Sequence, residues 1–384
     1  MKSNRLSTAS FPVLDRRSWL KSTGMAFAGL TVGTQFLSSS ALAQHEADRS
    51  ARRTEPVRLS GNENPFGPSQ MATMAMMQNL ERSFRYAGAE TAALKKLIAE
   101  KEGVAEENII MGVGSGEILE IYGLYLGKDK GEVVTVSPGY MQMVRAMERM
   151  GTKVISVPLN DKLEHDLDAM AAKVTANTKC VYICNPNNPT GTIVNPEKLK
   201  AFAIEVSKKC PVFIDEAYLQ CADNFEANTM VGLVRDGHNV AVARTFSKLY
   251  GLAGQRVGYG VMKPELVKAV QEYSTGSLNL LGVVAATASL EDAAYAPETV
   301  AKIKAGRNAL IDVVKGMGKK YAEPHGNFVF FQTGMPISMF ADKMRAENVL
   351  VARPFPPMLD WARITIGTPE DMAVCHAALK KVLA

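Results

Sequence analysis

The sequence is that of an α/β protein: a mostly parallel, seven-stranded sheet covered by helices, followed by a smaller α+β unit. Three observations predict it. From about Lys95 onward, short apolar runs alternate with stretches of helical period, the order in which parallel strands cross over through helices. Beyond about Gly276 this alternation gives way to a long helical segment and two late strands. A chain of 384 residues, 47% hydrophobic and 22% charged, can also bury a sizeable core, and it lacks the bias of disorder, collagen or coiled coil.

Taken in order, residues 1–43 read as an export leader. Asp15-Arg16-Arg17-Ser18-Trp19-Leu20-Lys21 sets paired arginines before an aromatic and a leucine. Ser22 to Leu37 is mildly apolar, and Ala41-Leu42-Ala43 supplies a small-x-small cleavage pattern. The twin arginine resembles a Tat signal. It implies the Tat export machinery as a partner and a periplasmic location; if these residues are instead a chance amphipathic helix, the protein stays cytoplasmic. The uninterrupted apolar residues fall short of the roughly 20 needed to span a bilayer, so no stable membrane insertion is expected after cleavage. Of the formal net charge of +5, the leader supplies +4, five basic residues against one acidic. The remaining +1 gives no basic footprint for nucleic acid. Residues 44–58, polar and charged, are expected to be a flexible arm.

A large domain is expected over 59–275. Its strands are predicted at Ile109–Val113, Glu132–Val136, Lys153–Val157, Cys180–Cys184, Val212–Ile214, Val240–Ala243 and Arg256–Val261. Amphipathic helices are predicted between them, over Ile118–Leu126, Met141–Met150, Leu167–Val174 and Pro196–Ser207. A small domain is expected over 276–384, with strands at Asn327–Gln332 and Arg363–Ile366. The five cysteines (Cys180, Cys184, Cys210, Cys221, Cys375) have no CxxC or zinc-type spacing and sit in or beside apolar runs. Buried thiols and no structural disulfide are therefore expected. The five dispersed histidines make no metal pair, and no GxSxG elbow supports a hydrolase.

The chemistry concentrates at the expected strand ends. In Ala243-Arg-Thr-Phe-Ser-Lys248, a lysine follows a strand between hydroxyls, Thr245 and Ser247. Such an amine can act as a nucleophile if its surroundings lower its pKa. The hydroxyls and Arg256, a few residues on, could together hold a phosphate. Val212-Phe-Ile-Asp215-Glu-Ala-Tyr218 ends a buried strand in an acid with a phenol three residues later. By itself, that acid could equally cap a helix. Asn185-Pro-Asn-Asn188-Pro-Thr-Gly191 fixes a rigid turn where α/β proteins bind ligands. Gly112-Val-Gly114-Ser115-Gly116-Glu117 lets the backbone approach a phosphate at a helix N-terminus, without the spacing of a nucleotide loop. Tyr140, in Ser137-Pro-Gly-Tyr140, offers a face for stacking.

Together these strings resemble the signatures of fold-type I pyridoxal-phosphate aminotransferases, over residues 56–384 and in the family's order. The segments Leu59-Ser-Gly-Asn62-Glu-Asn64-Pro-Phe-Gly-Pro and Trp361-Ala-Arg363-Ile-Thr-Ile-Gly-Thr most resemble the histidinol-phosphate aminotransferase branch. The resemblance implies pyridoxal 5'-phosphate as cofactor, no metal, and Lys248 as the residue that carries the cofactor and shuttles a proton. It implies Asp215 on the ring nitrogen, Tyr218 and Asn188 on the ring oxygen, and Tyr140 stacked on the ring. Ser115, Gly116, Glu117, Thr245, Ser247 and Arg256 would lie around the phosphate. Tyr86 would reach the neighbouring subunit's phosphate, although the relatives' Tyr-Pro-Asp is Tyr-Ala-Gly here. Arg363, Asn64 and Arg353 would face the substrate, Arg363 on its carboxylate and Arg353 on a distal anion.

The implied reaction moves an amino group from an L-amino acid, or a histidinol-phosphate-like amine, to a 2-oxo acid such as 2-oxoglutarate, in a homodimer. A lyase, decarboxylase or oxidase on the same scaffold would share Lys248 and Asp215. A requirement for a 2-oxo acid acceptor separates them. The export leader fits poorly with histidine synthesis and favours a divergent relative with another donor.

Overall fold

The computed structural model describes residues 55–384; the expected leader and most of the expected arm lie outside the described residues. The compact unit from Val57 to Ala384 opens with a short strand, β1 (Val57–Arg58). A central sheet follows, built from β2 (Ile109–Gly112), β3 (Glu132–Ser137), β4 (Lys153–Pro158), β5 (Thr178–Cys184), β6 (Val212–Asp215), β7 (Val240–Thr245) and β8 (Gly258–Val261). Their spatial order is β2-β8-β7-β6-β5-β3-β4. Neighbours are parallel except at β8, which runs against both β2 and β7. The seven predicted strands all form, each boundary within two residues of its expected place.

Among the described residues, ten helices of eight residues or more surround the sheets: α1 (Gln70–Gln78), α2 (Gly88–Glu102), α3 (Ser115–Gly127), α4 (Gln142–Arg149), α5 (Pro196–Ser207), α6 (Pro264–Gln271), α7 (Leu280–Glu291), α8 (Tyr295–Gly316), α9 (Ile337–Ala346) and α10 (Pro369–Leu383). β6 and β7 are buried along their whole length, because core lies on both sheet faces. That is why they read as continuous apolar runs rather than as alternation. One core holds Val181, Ile183, Val212, Ile214 and Val242; the other holds their sheet neighbours Cys180, Tyr182, Phe213 and Ala243. Helix starts follow their caps. Asn195 accepts the Lys198 amide ahead of Pro196 at the first turn of α5, and Thr368 with Asp371 forms a capping box at α10.

A further core lies under an antiparallel pair, β9 (Phe328–Gln332) and β11 (Trp361–Thr365), with α8, α9 and α10 against it. A short strand, β10 (Val349–Leu350), precedes β11.

Two expectations shift. The arm expected to run to residue 58 ends earlier, because Val57 and Arg58 pair in parallel with Val349 and Leu350. The small unit expected from 276 starts later. Leu280, Val283, Ala285 and Ala286 of α7 pack into the sheet's core, while Leu310, Ile311 and Val314 of α8 pack into the β9–β11 core. The transition therefore falls within α8.

Candidate active site

The parallel strands all deliver their C-terminal ends to one edge of the sheet, and β8, running the other way, delivers its start there. A cavity of about 250 Å³ opens at this edge, and Ser115, Tyr140, Asn188, Asp215, Tyr218, Lys248, Arg353 and Arg363 are among the residues that line it. Of the residues predicted from sequence, these eight converge on one space.

At the end of β6, Asp215 is buried, with neutral partners only. It accepts from the Ala217 amide at 3.1 Å and from the Tyr182 phenol at 3.2 Å. Burial outweighs these bonds and lifts its carboxyl to about 6. Tyr218, three residues on, accepts from Asn62 Nδ2 at 3.1 Å and Asn188 Nδ2 at 3.4 Å, and its ring meets Phe328 edge-on at 5.1 Å. Burial raises its phenol, opposed by the nearby Arg363 guanidinium.

Lys248 follows β7. Its amine donates a long hydrogen bond, Nζ to Gly61 O at 3.4 Å, and lies 5.4 Å from the Tyr218 ring centre. Desolvation first, then the charge of Arg363, lowers its pKa to about 8. An amine so placed is neutral, and hence nucleophilic, in a far larger fraction near neutrality than an exposed lysine.

Below Lys248, Thr245 Oγ1 donates to Ser247 Oγ at 2.9 Å, and Arg256 Nη1 reaches Ser247 Oγ at 3.2 Å. Arg256 sits in left-handed backbone (φ 55°), ahead of β8. Its remaining bonds go to the carbonyls of Ala253 and Val113. The same guanidinium lies against Gly114, where a Cβ would overlap it. α3 begins next, with the amides of Ser115 and Gly116 in its first turn, where helices leave donors without intrahelical partners. These donors could cradle a phosphate.

Glu117 enters that cradle differently from a ligand. Its carboxylate accepts from the Val113 amide at 2.6 Å, the Ser274 hydroxyl at 2.9 Å and the Gly276 amide at 3.2 Å. It therefore fastens the loop from behind.

Arg363 on β11 is also buried. Nη1 donates to Asn188 Oδ1 at 2.5 Å and Nη2 to Ser60 O at 2.8 Å, while Nε has no partner. Burial lowers its pKa to about 10. Its charge has no carboxylate opposite it among the described residues. Arg353 stands exposed at the mouth, donating to Pro354 O and covering the Phe355 ring at 4.6 Å.

Two predicted residues join neither the cavity lining nor the cluster around Arg256. Asn64 is engaged elsewhere: Nδ2 donates to Leu249 O at 2.6 Å and the Tyr295 phenol at 2.9 Å, and Oδ1 accepts the Phe66 amide. It ties the N-terminal segment to the Lys248 loop and does not face a substrate. Tyr86 is 93% exposed, on the surface of its own chain. The residue that takes the place expected for Asn64 is Asn62, buried at φ 52° and bonded to both Tyr218 and Thr365. Phe355 and Tyr182 were likewise not singled out. Tyr182 is an aromatic inside a strand, and nothing in its spacing marks it; a glycine directly before Asn62 is the one local signal of an unusual backbone there.

The cavity thus holds a buried acid, Asp215, hydrogen-bonded to neutral groups, and a buried cation, Arg363, neither of them in a salt bridge among the described residues. Between them stand an amine of lowered basicity and a phosphate cradle. A cofactor with a protonated ring nitrogen and a phosphate fits the first and last of these, and a substrate carboxylate fits Arg363. Fold and site together are those of a fold-type I pyridoxal-phosphate enzyme.

Comparison with known proteins narrows this. Residues 54–379 match the family model "Aminotransferase class I and II". The chain is 35% identical over 342 residues to a histidinol-phosphate aminotransferase of Moorella thermoacetica, covering 88% of each chain. It is 36% identical over 325 residues to that of Limosilactobacillus fermentum, covering 84% of this chain and 89% of the relative. The crystal structure of the Sinorhizobium meliloti histidinol-phosphate aminotransferase in complex with pyridoxal-5'-phosphate superposes with a TM-score of 0.78 at 30% identity, covering 85% of this chain and 90% of that one. The chain belongs to the class I and II aminotransferase family, whose members transaminate with pyridoxal phosphate.

Proposed function

We propose that this aminotransferase takes its amino group from an L-amino acid or a histidinol-phosphate-like amine and passes it to a 2-oxo acid such as 2-oxoglutarate. The observation that carries this is Arg363, a buried guanidinium with a free Nε–H and no carboxylate of its own. When bound, pyridoxal phosphate supplies the carbonyl that receives the amino group and the electron sink that lets Cα lose its proton. The chain's residues do the rest. Asp215 would hold a positive charge at the ring nitrogen, and Tyr218 and Asn188 would offer hydrogen bonds to a ring oxygen. Tyr140 would offer its ring for stacking, and Ser115, Gly116, Ser247 and Arg256 would hold the phosphate. Arg363 fixes the substrate's acidic end so that Cα–H points at Lys248, whose amine moves that proton. The relatives named histidinol-phosphate aminotransferase support an amine carrying phosphate as one donor.

The test is a donor panel, read by the cofactor's absorption. A donor should convert the enzyme to its amino form, and 2-oxoglutarate should restore it. Turnover without any acceptor would overturn the assignment.

Two further readings belong here. A homodimer is favoured by the apolar row Met71, Met74, Met77, Leu80 and Phe84, which stands exposed beside Tyr86. Tyr86 would then act across the interface. Light scattering giving a monomer mass would remove that role. Export through the Tat machinery to the periplasm is supported by Arg16-Arg17, the apolar stretch and Ala41-Leu42-Ala43. No helix among the described residues is long and apolar enough to cross a membrane. Cell fractionation with N-terminal sequencing tests it; an uncleaved cytoplasmic chain would refute it.

A further inference from the structure

Two buried phenols pack on Phe213. Tyr122, on α3, meets its ring edge-on at 4.8 Å, and Tyr182, on β5, lies tilted to it at 6.1 Å. They differ in what their hydroxyls do. The Tyr122 hydroxyl has no hydrogen-bond partner among the described residues, whereas the Tyr182 hydroxyl donates to Asp215 Oδ2 at 3.2 Å.

The sheet register sets up that bond. β5 and β6 are parallel, with Tyr182 opposite Phe213 and Cys184 opposite Asp215. Side chains two residues apart on a strand share a face, so Tyr182 and Asp215 project to the same side of the sheet, one diagonal step apart. Asp215 lines the cavity and Tyr182 does not; the phenol meets the carboxyl from within the core.

Burial raises the Asp215 carboxyl, and a protonated carboxyl cannot hold a positive charge at a ring nitrogen. Among the groups around it, the charge of Lys248 favours the ionised form and that of Glu216 opposes it, while Tyr140, Tyr218 and Cys184 face it as neutral groups. Hydrogen bonds to the carboxylate also favour ionisation. One comes from the Ala217 amide to Oδ1, fixed by the chain's own turn, and the other from Tyr182 to Oδ2. Burial first, then the Asp215 charge, holds the Tyr182 phenol well above its ordinary range, so it stays a donor.

We infer that Tyr182 is a positioning residue for Asp215: its hydroxyl fixes Oδ2 and stabilises the carboxylate, so that the acid stands ionised and held when a ring nitrogen comes to it. The inference rests on the reading of Asp215 as that nitrogen's partner. Tyr182 touches no reacting atom and acts through Asp215.

Tyr182→Phe tests it, with Tyr122→Phe as the matched control, since each removes one hydroxyl from the same core. In apo protein the infrared band of the protonated carboxyl, assigned by its loss in Asp215→Asn, is followed against pH. Losing a bond to the charged form should move the Asp215 midpoint upward by about one unit in Tyr182→Phe and leave it in place in Tyr122→Phe. In the holoenzyme, Tyr182→Phe should lower kcat about threefold to tenfold, the scale of one hydrogen bond from a neutral donor, with KM for the amino donor unchanged. An unmoved midpoint, an equal shift in both variants, or a kcat equal to that of an active wild type overturns the inference. A midpoint shifted only in Tyr182→Phe, in a protein whose wild type turns over no amino donor, leaves the hold on Asp215 standing and removes the transamination reading. Normal wild-type turnover with an unmoved midpoint does the reverse.

Discussion

Arg363→Gln should lower kcat/KM for a carboxylate-bearing donor by about 10²- to 10⁴-fold. Of the five N–H groups on the guanidinium, the fold uses one on each terminal nitrogen, toward Asn188 Oδ1 and Ser60 O. The Nε–H is left without a partner. A carboxylate docked side-on can therefore take Nε–H and one remaining Nη–H together. Hydrogen bonds to charged groups are each worth about 1.5–3 kcal/mol, so the pair is worth about 3–6 kcal/mol. At about 1.4 kcal/mol per decade this gives the stated range. Glutamine keeps a polar group near Asn188 but has neither the charge nor the fork. Arg363→Lys should fall between, because it keeps the charge alone. The assay is steady-state kcat/KM for an amino acid and for the matching amine without its carboxylate, with cofactor absorption and thermal melting as checks on folding. A loss below about threefold, or an equal loss for both donors, would refute the assignment of Arg363 to the acidic end.

Four other outcomes are expected. Asp215→Asn should leave the fold intact and lower kcat by about 10- to 100-fold, the scale of one charge-assisted bond. Apo wild type should also lose stability as pH rises from about 4 to about 6, because its folded carboxyl, raised to about 6, binds a proton there that the unfolded chain has released. Urea midpoints against pH, compared between the two proteins, check this. For Lys248, the rate at which apo protein captures pyridoxal phosphate should climb with pH and level off above about 8, since the neutral amine is the reactive form. Stopped-flow absorbance reads it, and a climb that continues toward pH 10.5 would remove the perturbed amine. Gly258→Ala should push the start of α3 off the cradle, because a Cβ there overlaps the Ser115 amide nitrogen and backbone of Gly114. Overpacking of this kind costs about 1–3 kcal/mol. Weaker cofactor retention on dialysis is the readout.

Much of this was legible in the chain because the strands are buried on both faces, which writes them as unbroken apolar words ending in the polar residues that matter. Asp215, Lys248 and Asn188 each follow such a run. Asn62 was harder to place than Asn64. The two lie two residues apart in a segment without regular structure, and only the left-handed turn at Asn62 decides which of them faces the cavity. The late boundary within α8 was hidden for another reason. Helix α7 is apolar on almost every side, so its pattern does not say which layer it joins.

The pairing of β1 with β10 has a consequence in time. Asn62 waits for Thr365 across 303 residues of chain. At ribosomal speeds of about 5–20 residues per second, that is an interval of about 15–60 s. During it the central sheet can be complete, with Lys248 and Tyr218 in place for Gly61 and Asn62, while Ser60 and the Thr365 side of Asn62 have nothing to close against. Thr365 then donates its amide to Leu59 O, and Arg363 reaches Ser60. The first stretch of the described chain is thus the last to find its place. A product cut short before residue 361 would carry Lys248 and Arg256 but lack Arg363, the buried guanidinium of the cavity.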